Sequence, residues 1–300
     1  MANIYQNIQK NKNETYFIMF LFTFFITFIS WIIGKLFLDG QGYLVAIVAF
    51  FVSLFSAFFS YFYSHKIVLS ISGAKLANKI DYKDLYQLVE NISIASGLPV
   101  PKVYIINDSA MNAFATGRNP KNGVICFTTG IILRLDKREL EGVVAHEMAH
   151  IGNFDIRLMT IVTVLVGTVA LLADWFTHGF FYSRKGSKEN GPSALILVLA
   201  LILIIISPII STLIKLAISR NREYLADATA AYITRYPQGL ANALRKLDND
   251  KEILESANSA TAHMYIANPL KNNINQGNFI SKIFSTHPPI DERIKRLEQM

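Results

Sequence analysis

The chain has 300 residues, 52% of them hydrophobic and only 17% charged, with a net charge of +7. Charged residues near 25% are usual for a soluble globular protein, so the composition excludes an ordinary soluble domain and points to a membrane protein. The basic balance comes without any nucleic-acid-binding signature, so no nucleic acid is expected as a partner. A single cysteine, Cys126, excludes an internal disulfide and fits a reducing compartment; it lies in an apolar run and is expected to be core.

Residues 1–15 are polar and carry Lys10 and Lys12. Residues 16–33 are nearly all apolar and aromatic, long enough to cross a ~30 Å hydrocarbon layer as a helix. A secretory signal peptide would have a shorter apolar core and a small-residue cleavage site, so this run reads as an uncleaved span. After a short loop, residues 43–63 form a second apolar run, with Tyr43, Tyr61 and Tyr63 at its ends where interfacial aromatics belong. Together they predict a helical hairpin.

From His65 the composition becomes that of a soluble domain. Asp81 is placed to cap a helix whose Leu85, Leu88, Val89 and Ile92 share a face, stopped by Gly97 and Pro99. Residues 102–107 (KVYIIN) and 123–128 (GVICFT) read as strands, with Asn112, Ala113 and Phe114 between them. Asp136 and Glu139 have the spacing of a capping box, and Leu140, Val143, Val144 and Met148 follow at helical spacing up to a stop at Gly152 and Asn153. A third apolar run covers residues 159–172, with Asp174 near its end. A fourth covers 194–216, with a kink expected at Pro208. The loop between them is basic, which conflicts with the charge rule for loops outside the cytoplasm. The topology is preferred, because two crossings return the chain to the side it left. Helices are then expected from Ser219 through Ala231, from Pro237 to Leu247, and over 290–297, with residues 268–278 a mobile loop.

Within the fourth of these helical stretches, the one that Asp136 and Glu139 open, lie residues 146–150, HEMAH. On a helix, positions four apart lie on one face, so His146 and His150 can hold one Zn²⁺ from the same side, and Glu147 can take a proton from water beside it. A catalytic zinc needs a third protein ligand. Glu223 and Asp227 are also four apart and share a face; Glu223 is assigned to the metal and Asp227 to the outer ring nitrogen of a ligand histidine, His146.

Four stretches, Asn112-Ala113-Phe114, residues 146–150, residues 219–227 and Thr286-His287-Pro288, together with two apolar runs before the motif and two after it, resemble the membrane-embedded zinc metallopeptidases of the M48 family over essentially the whole length. The resemblance implies one zinc per chain and endopeptidase cleavage of misfolded, damaged or unassembled membrane proteins at the cytoplasmic face of the plasma membrane. It also implies His287 as a donor to the developing oxyanion, and Asn112, Ala113 and Phe114 as an edge strand along which extended substrate pairs. The fold expected is a predominantly α membrane protein with four apolar membrane helices and an α+β zincin-like domain. Its parts are an N-terminal hairpin (1–64), the first part of the protease domain (65–158), a second membrane hairpin (159–216) and the rest of the protease domain (217–300). The alternative is a non-catalytic membrane scaffold with a closed structural metal site, which would need His263 or His287 as a fourth ligand.

Overall fold

The computed structural model describes residues 2–37, 42–167, 219–258, 261–269 and 288–300. Helices α1 (Ala2–Phe37) and α2 (Gly42–Ile71) form the expected hairpin. Tyr16 stacks on Tyr61 at its base, with ring centroids 6.4 Å apart, and Trp31 meets Tyr43 at its tip. Both helices are long and apolar enough to cross a membrane, with mean hydropathies of 2.0 and 2.3. Phe17, Phe20, Phe24, Phe51 and Phe55 are exposed on their outer faces, an arrangement that suits lipid and not water. Helix α2 runs on past His65 to Ile71. The change in composition at His65 therefore does not mark the end of the helix.

A four-stranded mixed sheet follows, built from β1 (Lys75–Leu76), β2 (Lys102–Ile106), β3 (Ala113–Thr116) and β4 (Val124–Thr128). Its order is β1-β2-β4-β3, with β2 and β4 parallel and the other pairs antiparallel. The two-residue β1 gave no sequence signal. Helix α3 (Lys83–Ser96) packs Leu85, Leu88, Val89 and Ile92 into the core as expected, but its N-cap is Tyr82, without a side-chain bond, and not Asp81. Gly97 closes it in the left-handed conformation.

A short helix α4 (Thr129–Arg134) leads into α5 (Lys137–Gly152), which carries HEMAH. Its capping box is complete: Asp136 accepts from the backbone of Arg138 and Glu139, and Glu139 accepts from the Asp136 amide at 2.8 Å. Val143, Val144, Met148 and Ile151 are wholly buried between the sheet and two later helices, α7 (Arg220–Thr234) and α8 (Pro237–Asn249). Gly142 permits a close approach of α5 to α8; a Cβ there would lie 2.6 Å from the Leu240 amide nitrogen. Between α5 and α7, the chain turns by 82° through Asn153 and Phe154 into α6 (Asp155–Gly167). Phe154 sits at φ 62°, a left-handed conformation that a bulky side chain rarely takes. The last helix, α9 (Ile290–Glu298), closes the domain.

Two described helices are thus membrane spans by length and composition, or three if α5 and α6 are counted as one bent element. The third apolar run is described only to Gly167; Asp174 beyond it, the fourth run with Pro208, and most of the 268–278 loop lie outside the described residues.

Candidate metal centre

Three elements build the centre. The α5 helix places His146 and His150 one turn apart, α7 brings Glu223 and Asp227 over them, and α9 inserts Arg293. All five residues are at least 95% buried. One ligand atom from each of His146, His150 and Glu223 lies within 4.8 Å of the others. The two Nε2 atoms are 3.1 Å apart, and the Glu223 carboxylate is 3.8 Å from His146 Nε2 and 3.6 Å from His150 Nε2. Ligands at ~2.1 Å around a tetrahedral zinc are separated by about 3.4 Å, so the spacing suits such an ion.

The donor set itself argues for a cation. His146 Nδ1 faces Asp227 Oδ1 at 3.0 Å, and His150 Nδ1 faces Asp155 Oδ2 at 2.9 Å. Each carboxylate accepts a proton-bearing Nδ1, so each Nε2 presents a lone pair. Two lone pairs turned toward each other at 3.1 Å need a positive charge between them, either a shared proton or a metal. The residues fit a divalent ion of the zinc type.

The electrostatics agree. Burial depresses His146 to about 4, partly opposed by Asp227. Burial also acts against the charged form of His150, but the Asp155 hydrogen bond and the Glu223 and Glu147 charges outweigh it and raise that ring to about 9. The pair thus favours one proton beyond those on the two Nδ1 atoms, at His150 Nε2, which faces His146 Nε2. Burial pushes the Glu147 carboxyl up to about 7, assisted by Glu223 and opposed by His150, Arg293 and a backbone hydrogen bond from Ala115. That is a value suited to a general base near neutral pH. Burial would raise Asp227, yet the Arg293 guanidinium and His146 bring it down to about 2.

Two residues of the centre were not anticipated. Asp155 is the first residue of α6 and becomes the partner of His150 only because the chain bends there. Arg293 is 0% exposed; it also donates to the Ile266 carbonyl at 3.1 Å and lies 3.6 Å from Glu223 Oε2. Its signal was present: it shares the buried face of α9 with Ile294 and Leu297, a place where an apolar residue is the norm. Glu147 is 2% exposed beside the ligands. His287 lies outside the described residues. His263, the other candidate fourth ligand, is buried against Thr163 Oγ1 at 3.1 Å and does not belong to the His146, His150 and Glu223 group.

Ala113 and Phe114 open β3, the outer strand next to β4, and Asn112 precedes it. The edge is not bare. The Ile266 amide donates to the Ala113 carbonyl at 3.0 Å, and the Asn112 side chain donates to the Ala267 carbonyl at 2.9 Å. Tyr265 packs edge-on against Phe114. Cys126 is wholly buried in β4, where desolvation holds its thiol well above the usual range, as befits a core residue.

A buried H-E-x-x-H helix beside a small mixed sheet, completed by a glutamate from a later helix and joined to an apolar hairpin, defines a membrane-associated metallopeptidase. Residues 79–300 match the model of peptidase family M48, and the chain belongs to that family; it is a metallopeptidase. It is 42% identical to a protein named protease HtpX homolog from Dictyoglomus turgidum, over 99% of this chain and 94% of that one. Proteins of the same name from Caldanaerobacter subterraneus and Streptococcus pneumoniae are 41% and 38% identical, each over 99% of this chain. Among solved structures, Ste24p from S. mikatae shares the fold with a TM-score of 0.51 at 21% identity, covering 99% of this chain and 67% of that one.

Proposed function

We propose that this chain is a zinc endopeptidase of the plasma membrane that cleaves misfolded or damaged membrane proteins at the cytoplasmic face. The observation that carries the reading is the buried convergence of His146, His150 and Glu223 beside Glu147, on a domain that stands directly on the base of an apolar hairpin. His146, His150 and Glu223 hold the zinc. When bound, the metal supplies Lewis acidity, polarising a scissile carbonyl and acidifying a water. Glu147 takes the proton of that water and returns it to the leaving amine. Asp227 keeps His146 in the tautomer that offers Nε2.

The edge at Asn112, Ala113 and Phe114 receives extended substrate. Ile266, whose amide donates to the Ala113 carbonyl, and Ala267, whose carbonyl accepts from the Asn112 side chain, hold the contacts that a substrate would take over. His287 donates to the oxyanion, by resemblance alone. The division into an N-terminal hairpin (1–64), two parts of one protease domain (65–158 and 217–300) and a second membrane hairpin (159–216) belongs to the same proposal. An even number of crossings then keeps both parts of the domain, and both termini, on the cytoplasmic side.

The test is digestion of casein and of an unfolded membrane reporter by the purified full chain, with chelator and with zinc restored. Cleavage should stop with chelator and return with zinc, and Glu147→Gln should keep its zinc without cleaving. Full activity in Glu147→Gln would remove Glu147 as the base, and chelator-resistant cleavage would remove the metal.

A further inference from the structure

The family match begins at residue 79 and contains all three candidate ligands, yet one buried polar contact of the centre comes from far outside it. Asn11, in the base of α1, is 3% exposed and lies 144 positions from Asp155. Its Nδ2 donates to Asp155 Oδ1 at 2.6 Å and to the Asn153 carbonyl at 2.9 Å. Its Oδ1 accepts from Arg222 Nη1 at 2.8 Å. The chemistry permits only this orientation of the amide: the reverse would set oxygen against a carboxylate and a carbonyl, and NH₂ against a guanidinium.

Asp155 is therefore held through both oxygens, by Asn11 on one side and by His150 Nδ1 on the other. Arg222, which also bonds Glu14 of α1 at 3.1 Å, immediately precedes Glu223. A second contact supports the same junction. Lys12 sits 4.6 Å over the ring of Phe154, the residue in the left-handed elbow, and Arg157 lies 5.1 Å from the same ring. One turn of α1 thus grips the bend that delivers Asp155 to His150.

We infer that Asn11 is a positioning residue of the metal centre, acting through Asp155 on His150, so that the first apolar helix completes the site as well as anchoring it. The inference rests on the reading of His146, His150 and Glu223 as zinc ligands. A carboxylate that orients a ligand histidine sets both its tautomer and its direction, and loss of such partners typically weakens metal binding 10–100-fold. Asn11 acts one step further out, by preventing Asp155 from turning away.

The test is zinc affinity of the full chain in detergent, measured by chelator competition, together with the visible spectrum of the cobalt-substituted protein. Asn11→Ala and Asn11→Asp should each bind zinc about tenfold more weakly and shift the cobalt bands. Gln9→Ala, an exposed change two residues away, should match the wild type. The double variant Asn11→Ala/Asp155→Ala should bind no more weakly than Asp155→Ala alone. Zinc affinity within twofold of wild type in both Asn11 variants would overturn the inference, and so would losses that multiply in the double variant. Thermal unfolding of the metal-free variants separates positioning from folding. Should Asn11→Ala unfold, Asn11→Asp, equal in size, carries the test. Zinc binding that survives His146→Ala would instead remove the ligand reading, and this inference with it.

Discussion

Arg293 holds Asp227 with two hydrogen bonds, Nη2 to Oδ1 at 2.7 Å and Nε to Oδ2 at 2.9 Å, from a helix 66 positions further along the chain. The fork of a guanidinium fits a carboxylate in this way, and an ammonium does not. Neither side chain sees water, so the pair stands or falls together. Asp227 in turn faces His146, which makes the C-terminal helix a support of the metal centre.

Arg293→Met should therefore cost about 3–5 kcal/mol of stability, because it leaves a buried carboxylate uncompensated. Zinc retention should fall with it, and Arg293→Lys should recover part of each. Thermal unfolding and metal content check this; an Arg293→Met protein with wild-type melting and full zinc would show that Asp227 needs no such partner.

Glu147 offers a prediction with a definite sign. Its folded pKa, about 7, lies above the ordinary 4.5, so burial disfavours its charged form. Stability from the protonated group is present at low pH and is lost as pH rises through about 7. The metal-free Glu147→Gln protein should then be more stable than wild type by about 1–3 kcal/mol at pH 8, with the gain gone by about pH 4, below the unfolded value of 4.5. For the zinc enzyme, cleavage should decline on the acid side as Glu147 becomes protonated, and a nearby dication moves that limb to lower pH. Denaturant unfolding at both pH values and a kcat/KM profile test the two halves separately.

Zinc binding should also depend on pH. The His150 proton, with a pKa raised to about 9, occupies the position a metal would take. Apparent affinity should fall about tenfold per unit as pH drops below that value, because the ion must displace the proton. In the metal-free protein the sign is reversed: stability drawn from protonated His150 against Asp155 is complete below the unfolded value of 6.5 and is lost as pH rises toward 9. Chelator competition at pH 6, 7 and 8 measures the first effect, and a flat response would contradict the shared-proton description.

Gly142 is a packing prediction away from the chemistry. A methyl group there would lie 2.6 Å from the Leu240 backbone nitrogen, so Gly142→Ala must push α8 off α5. The expected cost is about 1–3 kcal/mol, with zinc stoichiometry kept in the cold. Unchanged melting would mean that the two helices yield more readily than a packed core should.

Much of this molecule was legible in one dimension. Helical spacing placed His146, Glu147 and His150 on one turn, the Asp136 and Glu139 pair marked where that turn's helix begins, and two uninterrupted apolar runs required a bilayer. Glu223 and Asp227 are four apart, the spacing of one helix face, and lie 3.6 Å from His150 and 3.0 Å from His146. These features rest on local rules, in which a residue's neighbours are its neighbours in sequence.

Asp155, Arg293 and Asn11 obey no such rule. Asp155 depends on an 82° bend, Arg293 on a helix that returns from 147 positions beyond His146, and Asn11 on a hairpin base that stands against that bend. A buried carboxylate, guanidinium or amide looks in sequence like any surface residue; only the folded chain shows which polar atoms meet once water is excluded. The chemistry offered to a metal was thus written in the sequence, while the direction in which each ligand points was decided by distant segments arriving to hold it.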